Sequence, residues 1–185
     1  TQKKGSSFES IYKDDTYGGS VEYNNQLSTA HFLSASAQFK NDRHKEYNLG
    51  EPIRATRDYT ASVGLEDSYQ VNDQLVLLPG IGVNLRSSLE AQNYNSATKE
   101  ITNHPKNDNY AFNAQLGAVY QLNDQHKLNA SIARKTRFAT IKDRYSYRMG
   151  TAIPNPDLKS EAALHYETGY SGTFINKIQV GASLF

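Results

Sequence analysis

The chain has 185 residues, with 20 Lys and Arg against 19 Asp and Glu, a formal net charge of +1, and no cysteine. That length suits one domain or part of a larger one, the balanced charge argues against nucleic acid as a partner, and the absence of cysteine excludes disulfides and thiolate metal sites. No segment approaches the ~18 apolar residues of a membrane-spanning helix, although strands that cross a membrane escape this test because alternation dilutes their apolar residues.

The polar start, Thr1-Gln2-Lys3-Lys4-Gly5, has no apolar leader core. From there the chain reads at period two, the spacing that sends successive side chains to opposite faces of a strand. Tyr17-Val21-Tyr23 is followed by Leu33, Ala35, Ala37 and Phe39 against Ser34, Ser36, Gln38 and Lys40. Tyr59, Ala61, Val63, Leu65 and Tyr69 stand against Asp58, Thr60, Ser62, Gly64, Glu66 and Ser68. Leu75, Leu77, Ile81, Val83, Leu85 and Leu89 oppose Gly80, Gly82, Asn84, Arg86, Ser88 and Glu90. Tyr110, Phe112, Ala114, Leu116, Ala118 and Tyr120 then oppose Asn113, Gln115, Gly117 and Gln121. Leu128, Ala130 and Ile132, then Leu164, Tyr166 and Tyr170, then Ile178, Val180, Ala182 and Leu184 continue the rhythm. This predicts about eight strands and no amphipathic helix.

Short turns are expected at Asn24-Asn25, Asn72-Asp73, Asn123-Asp124 and around Asn176, residue types that tolerate tight reversals. Long polar connections are expected over 41–56, 95–108 and 139–160. Alternation of short and long connections predicts an all-β, antiparallel up-and-down meander that is part of a transmembrane β-barrel. Tyr69-Gln70-Val71-Asn72-Asp73-Gln74 recurs as Tyr120-Gln121-Leu122-Asn123-Asp124-Gln125, which would set a Tyr at the membrane boundary and Asn-Asp in the turn. Two other architectures fit the alternation. One has eight strands closing on themselves as a small adhesin or scaffold barrel, and the other has the aliphatic face pointing inward in a soluble sandwich or ligand-binding barrel.

A fairly specific motif runs from Ala133 to Tyr170. Arg137-Phe138 ends a strand, Asn155-Pro156-Asp157-Leu158-Lys159-Ser160-Glu161 forms a loop, and Tyr166-Glu167-Thr168-Gly169-Tyr170 opens the next strand. This combination resembles the barrel of TonB-dependent outer-membrane receptors, with Ala139 and Ser160 standing where that family commonly has Pro. The resemblance marks Arg137, Phe138, Asn155, Pro156, Asp157, Leu158, Glu161, Glu167 and Tyr170 as family motif residues with structural roles. It implies that residues 1–185 are a partial barrel domain, without the plug and remaining strands of a 22-stranded parent. Phe185 falls out of phase with Ile178, Val180, Ala182 and Leu184, in keeping with a run taken from the middle of a barrel. The resemblance further implies a non-enzymatic importer of a ferric siderophore, cobalamin or similar chelate in the bacterial outer membrane. Its partners would be membrane lipid, the plug domain, the TonB complex through an amino-terminal region absent here, and the chelate.

Residues 134–148 carry Arg134, Lys135, Arg137, Lys142, Arg144 and Arg148 against Asp143 alone, with Tyr145 and Tyr147 interleaved. Arg144, Tyr145, Tyr147 and Arg148 are candidate ligand contacts, because cations and aromatic rings suit an anionic chelate. The competing reading pairs these cations with carboxylates, Lys135 and Arg137 sharing a face with Glu161 and Glu167 on the next strand. Asn155-Pro156-Asp157 reads as a turn. The five histidines lack metal-ligand spacing, and no cofactor is expected. Glu161 and Glu167 would lie ~20 Å apart on one strand, too far to act as a hydrolytic pair.

Overall fold

A computed structural model describes residues 9–146, 153–175 and 177–185. Among the described residues nine strands form in chain order: β1 Ser10–Gln26, β2 His31–Asn48, β3 Arg54–Gln70, β4 Leu75–Asn95, β5 Glu100–Asn103, β6 Asp108–Asn123, β7 His126–Arg137, β8 Glu161–Phe174 and β9 Ile178–Leu184. A helical turn, α1 (Ile141–Tyr145), lies between β7 and β8. The sheet order is β1-β2-β3-β4-β6-β7-β8-β9, with β5 paired only to β4, and every pairing is antiparallel. Among the described residues the sheet is open, its two edges being β1 and β9. The expected meander is present, and the additional strand is the four-residue β5.

The register carries the alternation across the whole sheet. One row on the apolar face reads Val21, Ala37, Val63, Val83, Phe112, and its neighbour on the polar face reads Glu22, Ser36, Gly64, Gly82, Asn113. The apolar row faces outward rather than into a core. Val63 is 57% exposed, and Val83 and Phe112 are similarly open.

Tyrosines bound this apolar band at both ends. Tyr59 and Tyr69 lie ten residues apart on β3, and Tyr110 and Tyr120 lie ten apart on β6. Ten residues at ~3.3 Å, inclined by ~35–45°, span ~23–27 Å, which brackets the ~25 Å apolar band of membrane barrels. Tyr69 is level with Leu77 of β4, whereas Tyr120 is level with Leu75. At the other end Tyr110 shares the row of Leu85 and Ala61, two residues nearer the turns than Tyr59. Both boundaries thus shift by two residues over two strand steps. One residue per strand corresponds to a lean of ~35°, within the range for closed barrels. Asp67 interrupts the band next to Tyr69, and His31 answers it: His31 Nδ1 lies 2.6 Å from the carboxylate, with its ring stacked on Tyr69 at 4.5 Å.

Besides 95–108, where β5 forms a short hairpin with β4, three expected connections differ. Asn24 and Asn25 lie inside β1, opposite Ser34 and Leu33. The reversal falls beyond Gln26, where Ser28 Oγ accepts from the backbone N–H of Ala30 and His31 at 3.2 Å. The expected long loop 41–56 is largely a hairpin, because β2 continues to Asn48 and β3 begins at Arg54. Within 139–160 the chain makes α1 in place of uninterrupted loop. Its signal is a capping box rather than apolar periodicity: Thr140 N–H donates to Asp143 at 3.0 Å and Asp143 N–H donates to Thr140 Oγ1 at 3.2 Å. The turns following Gln70 and Asn123 fall where expected. Asn176 lies outside the described residues.

Candidate functional site

Among the described residues, the densest burial lies on the polar face at the long-loop end, where α1 folds back over the sheet. A bulge between Arg57 and Asp58 places Asp58 opposite Ser88 and Arg57 opposite Glu90. Asp58, Arg86 and Ser88 thereby share the face that α1 covers. Arg144 of α1 is completely buried, and Arg86 and Ser88 are nearly so.

Arg144 organises the contact. Its Nη2 donates to Asp58 Oδ2, its Nη1 donates to the Tyr145 hydroxyl at 3.0 Å, and its Nε donates to the Ala139 carbonyl at 3.3 Å. The Tyr145 hydroxyl and Ser88 Oγ share a hydrogen bond of 2.9 Å, and His104 stacks against the Tyr145 ring at 5.2 Å. Burial pushes the His104 imidazole below its ordinary pKa. Arg86 Nη1 sits 3.7 Å from the same Asp58 oxygen, and its Nη2 donates to Asn107 Oδ1 at 3.0 Å. Asn107 in turn donates to Asp157 at 3.1 Å, and Asn155 N–H donates to the Arg144 carbonyl at 2.8 Å. Segments 138–146 and 153–158 therefore act as a strap that follows β7 and leads into β8 but is fastened to β3 and β4.

Two guanidinium groups converge on one buried carboxylate. A further carboxylate, Asp42, stands opposite Asp58 in the register and pairs with Lys40 at 2.9 Å. Among the described residues, Asp58 Oδ1 and Arg86 Nε make no hydrogen bond. The cluster can hold a strap in place and present polar groups to a passage. Among the described residues, no three metal-ligating side chains converge there.

The candidates read from the sequence separate into groups. Arg144 and Tyr145 are brought together, but inside the cluster rather than at the surface. Tyr147 and Arg148 lie outside the described residues. Arg137 and Glu161 face each other across β7 and β8 and pair at 3.1 Å, both exposed. Phe138 follows directly on β7. Asn155 Oδ1 accepts from Asp157 N–H at 3.1 Å and Leu158 N–H donates to the Asn155 carbonyl at 3.3 Å, making the expected turn about Pro156. Glu167 is opposite Ser131, away from the cluster, and Tyr170 lies at the turn end with its hydroxyl 2.6 Å from His126 Nδ1. Asp58, Arg86, Ser88, His104 and Asn107 had no sequence signal, because the strands that carry them come together only in the fold.

An open meander of leaning strands, apolar outside and polar within, with tyrosines at both edges of the apolar band, defines a wall of a membrane β-barrel. The family model for the TonB-dependent receptor-like β-barrel matches residues 2–185, and the chain belongs to that family. Solved structures with the same fold include the copper transporter OprC (TM-score 0.78, 14% identity, covering 95% of this chain and 30% of that one). The ferric-catecholate import receptor Fiu from E. coli K12 is also similar (TM-score 0.65, 13% identity, 93% and 31% covered). So is the Serratia marcescens hemophore receptor HasR, solved as a double mutant with its hemophore HasA and heme (TM-score 0.62, 15% identity, 89% and 30% covered). The chain spans under a third of the length of each of these structures. No curated protein matches it.

Proposed function

We propose that this chain is one wall of an outer-membrane importer of a ferric siderophore, cobalamin or similar chelate, working with a plug and the TonB complex and doing no catalysis itself. The observation that carries the reading is the exposed apolar band bounded by Tyr59 and Tyr69 on β3 and by Tyr110 and Tyr120 on β6. A face of Val63, Leu65, Ile81, Val83 and Phe112 left open to water would be unfavourable, and acyl chains are the solvent that suits it. The opposite face, with Ser36, Gly64, Gly82 and Asn113, suits a wet passage. On this reading Arg144 and Tyr145 hold α1 over that passage, and Tyr147 and Arg148 supply a ring and a cation to the chelate.

The test uses the intact receptor in bilayers, with single tryptophans placed at Val63 and at Ser62. Brominated acyl chains should quench Val63→Trp, and aqueous iodide should quench Ser62→Trp. The reverse pattern would overturn the orientation. Uptake of radiolabelled ferric siderophore and cobalamin by cells carrying the receptor then tests the cargo, and TonB-independent or absent uptake of every chelate would reject the importer assignment.

A further inference from the structure

Above the tyrosine boundary, the membrane-facing side of β1, β2 and β3 carries an arrangement that neither the strap nor the passage uses. Lys13 of β1 lies opposite Lys45 of β2, and in the next row on the same face Arg43 of β2 lies opposite Arg57 of β3. Like charges directly opposite one another on a sheet destabilise it, and here two successive rows place cation against cation. The same two rows hold two carboxylates, Asp15 and Glu90. Both are loosely engaged, Lys45 lying 3.9 Å from Asp15 and Arg43 3.8 Å from Glu90. Asp108, level with Ser87 in the row below, is two strands further on. Four cations against two carboxylates leave local positive charge in excess.

The height of this patch is fixed by its neighbours. The row directly below contains Tyr17, Asn41 and Tyr59, and Arg57 reaches down into it, donating to Asn41 Oδ1 and the Tyr17 hydroxyl at 2.9 Å each. Those rings mark the edge of the apolar band. With the one-residue stagger per strand, the edge at β1 and β2 rises to the level of Asp15 and Arg43. The cations therefore stand at headgroup level, on the side turned toward lipid, at the end of the barrel that bears the long loops.

We propose that Lys13, Arg43, Lys45 and Arg57 form a binding site for the phosphate of an anionic lipid headgroup in the leaflet at the long-loop end. A phosphate seated between the two rows relieves both like-charge pairs, and guanidinium groups suit its oxygens. Tyr17 and Tyr59 would flank the start of the acyl chains. This inference rests on the membrane orientation proposed above.

The test is native mass spectrometry of the intact receptor in mild detergent, supplied with phosphatidic acid or with phosphatidylcholine of the same acyl chains. Wild type should retain phosphatidic acid in preference. Arg43→Gln with Lys45→Gln, two residues whose carboxylate contacts are only loose, should weaken retention about thirtyfold. Asp15→Asn with Glu90→Gln should strengthen it. Equal retention of the two lipids, no loss in the Gln variant, or displacement by an equal concentration of inorganic phosphate would each overturn the proposal. Quenching of Val63→Trp by brominated acyl chains in the same preparation separates the two readings. If quenching persists without selective retention, the phosphate site alone falls; if quenching is absent, the orientation falls with it.

Discussion

Arg144 donates to Asp58 from a position 86 residues further along the chain. The bond crosses from α1, over β6 and β4, to β3. It leaves Arg144 fully buried and shares one carboxylate between two guanidinium groups.

That sharing makes Asp58 more critical than either arginine. Asp58→Asn should cost about 3–5 kcal/mol, because it strands two buried cations. Arg144→Ala should cost less, since Arg86 remains beside Asp58. Denaturant unfolding of the intact receptor, with limited proteolysis of residues 139–158 as a local readout, checks the order. An Asn variant no weaker than the Ala variant would contradict it.

Tyr145→Phe keeps the ring that stacks on His104 but removes the hydroxyl that meets both Ser88 and Arg144. The expected loss is about 1–3 kcal/mol, because buried polar groups lose a partner. A double-mutant cycle with Ser88→Ala should give a positive coupling energy, and strictly additive losses would show that the Ser88 contact contributes nothing.

The strap should be pH-sensitive through His104. Its pKa in the folded protein lies below the ordinary value of 6.5, because burial disfavours the charged ring. The unfolded or released segment binds the proton more readily, so the stabilisation is present above 6.5 and is lost as the pH falls through the folded pKa. Protease cleavage within 139–158 should accelerate on acidification below that point. His104→Gln should flatten the profile, whereas an unchanged profile would assign the sensitivity elsewhere.

Asn72 and Asn123 should each contribute about 1 kcal/mol by holding their turns through side-chain acceptors. Asn72 Oδ1 accepts from the N–H of Gln74 and Leu75 at 2.9 and 3.0 Å, and Asn123 Oδ1 accepts from Gln125 N–H at 3.0 Å. Equilibrium unfolding of Asn72→Ala and Asn123→Ala in bilayers measures this. Losses much larger at one turn than the other would break the equivalence that the repeated Tyr-Gln-x-Asn-Asp-Gln segment implies.

Where each strand meets a different medium on its two faces, the fold was legible in the sequence. Val63 against Ser62 and Phe112 against Asn113 announce a two-sided strand. Beyond the tyrosines both faces meet water, so Arg43-His44-Lys45-Glu46 reads as loop although it pairs residue for residue with β1 and β3. The same loss of contrast hid β5. At the candidate site, the cations and aromatics of 134–148 stood out as a group, and Arg137–Glu161 was legible as a cross-strand pair. Asp58 and Arg86 were not, because an acid or a base on a polar face looks alike whether solvated or buried. Only the return of α1 distinguishes them.

The strap has a mechanical consequence. Because α1 follows β7 yet is fastened to β3, it acts as a chord across the curve of the wall and stiffens the arc from β3 to β7 against flattening. A pull on it would be met first by the Arg144–Asp58 linkage and only afterwards by the strand ladder, so that linkage is where deformation at this end should begin.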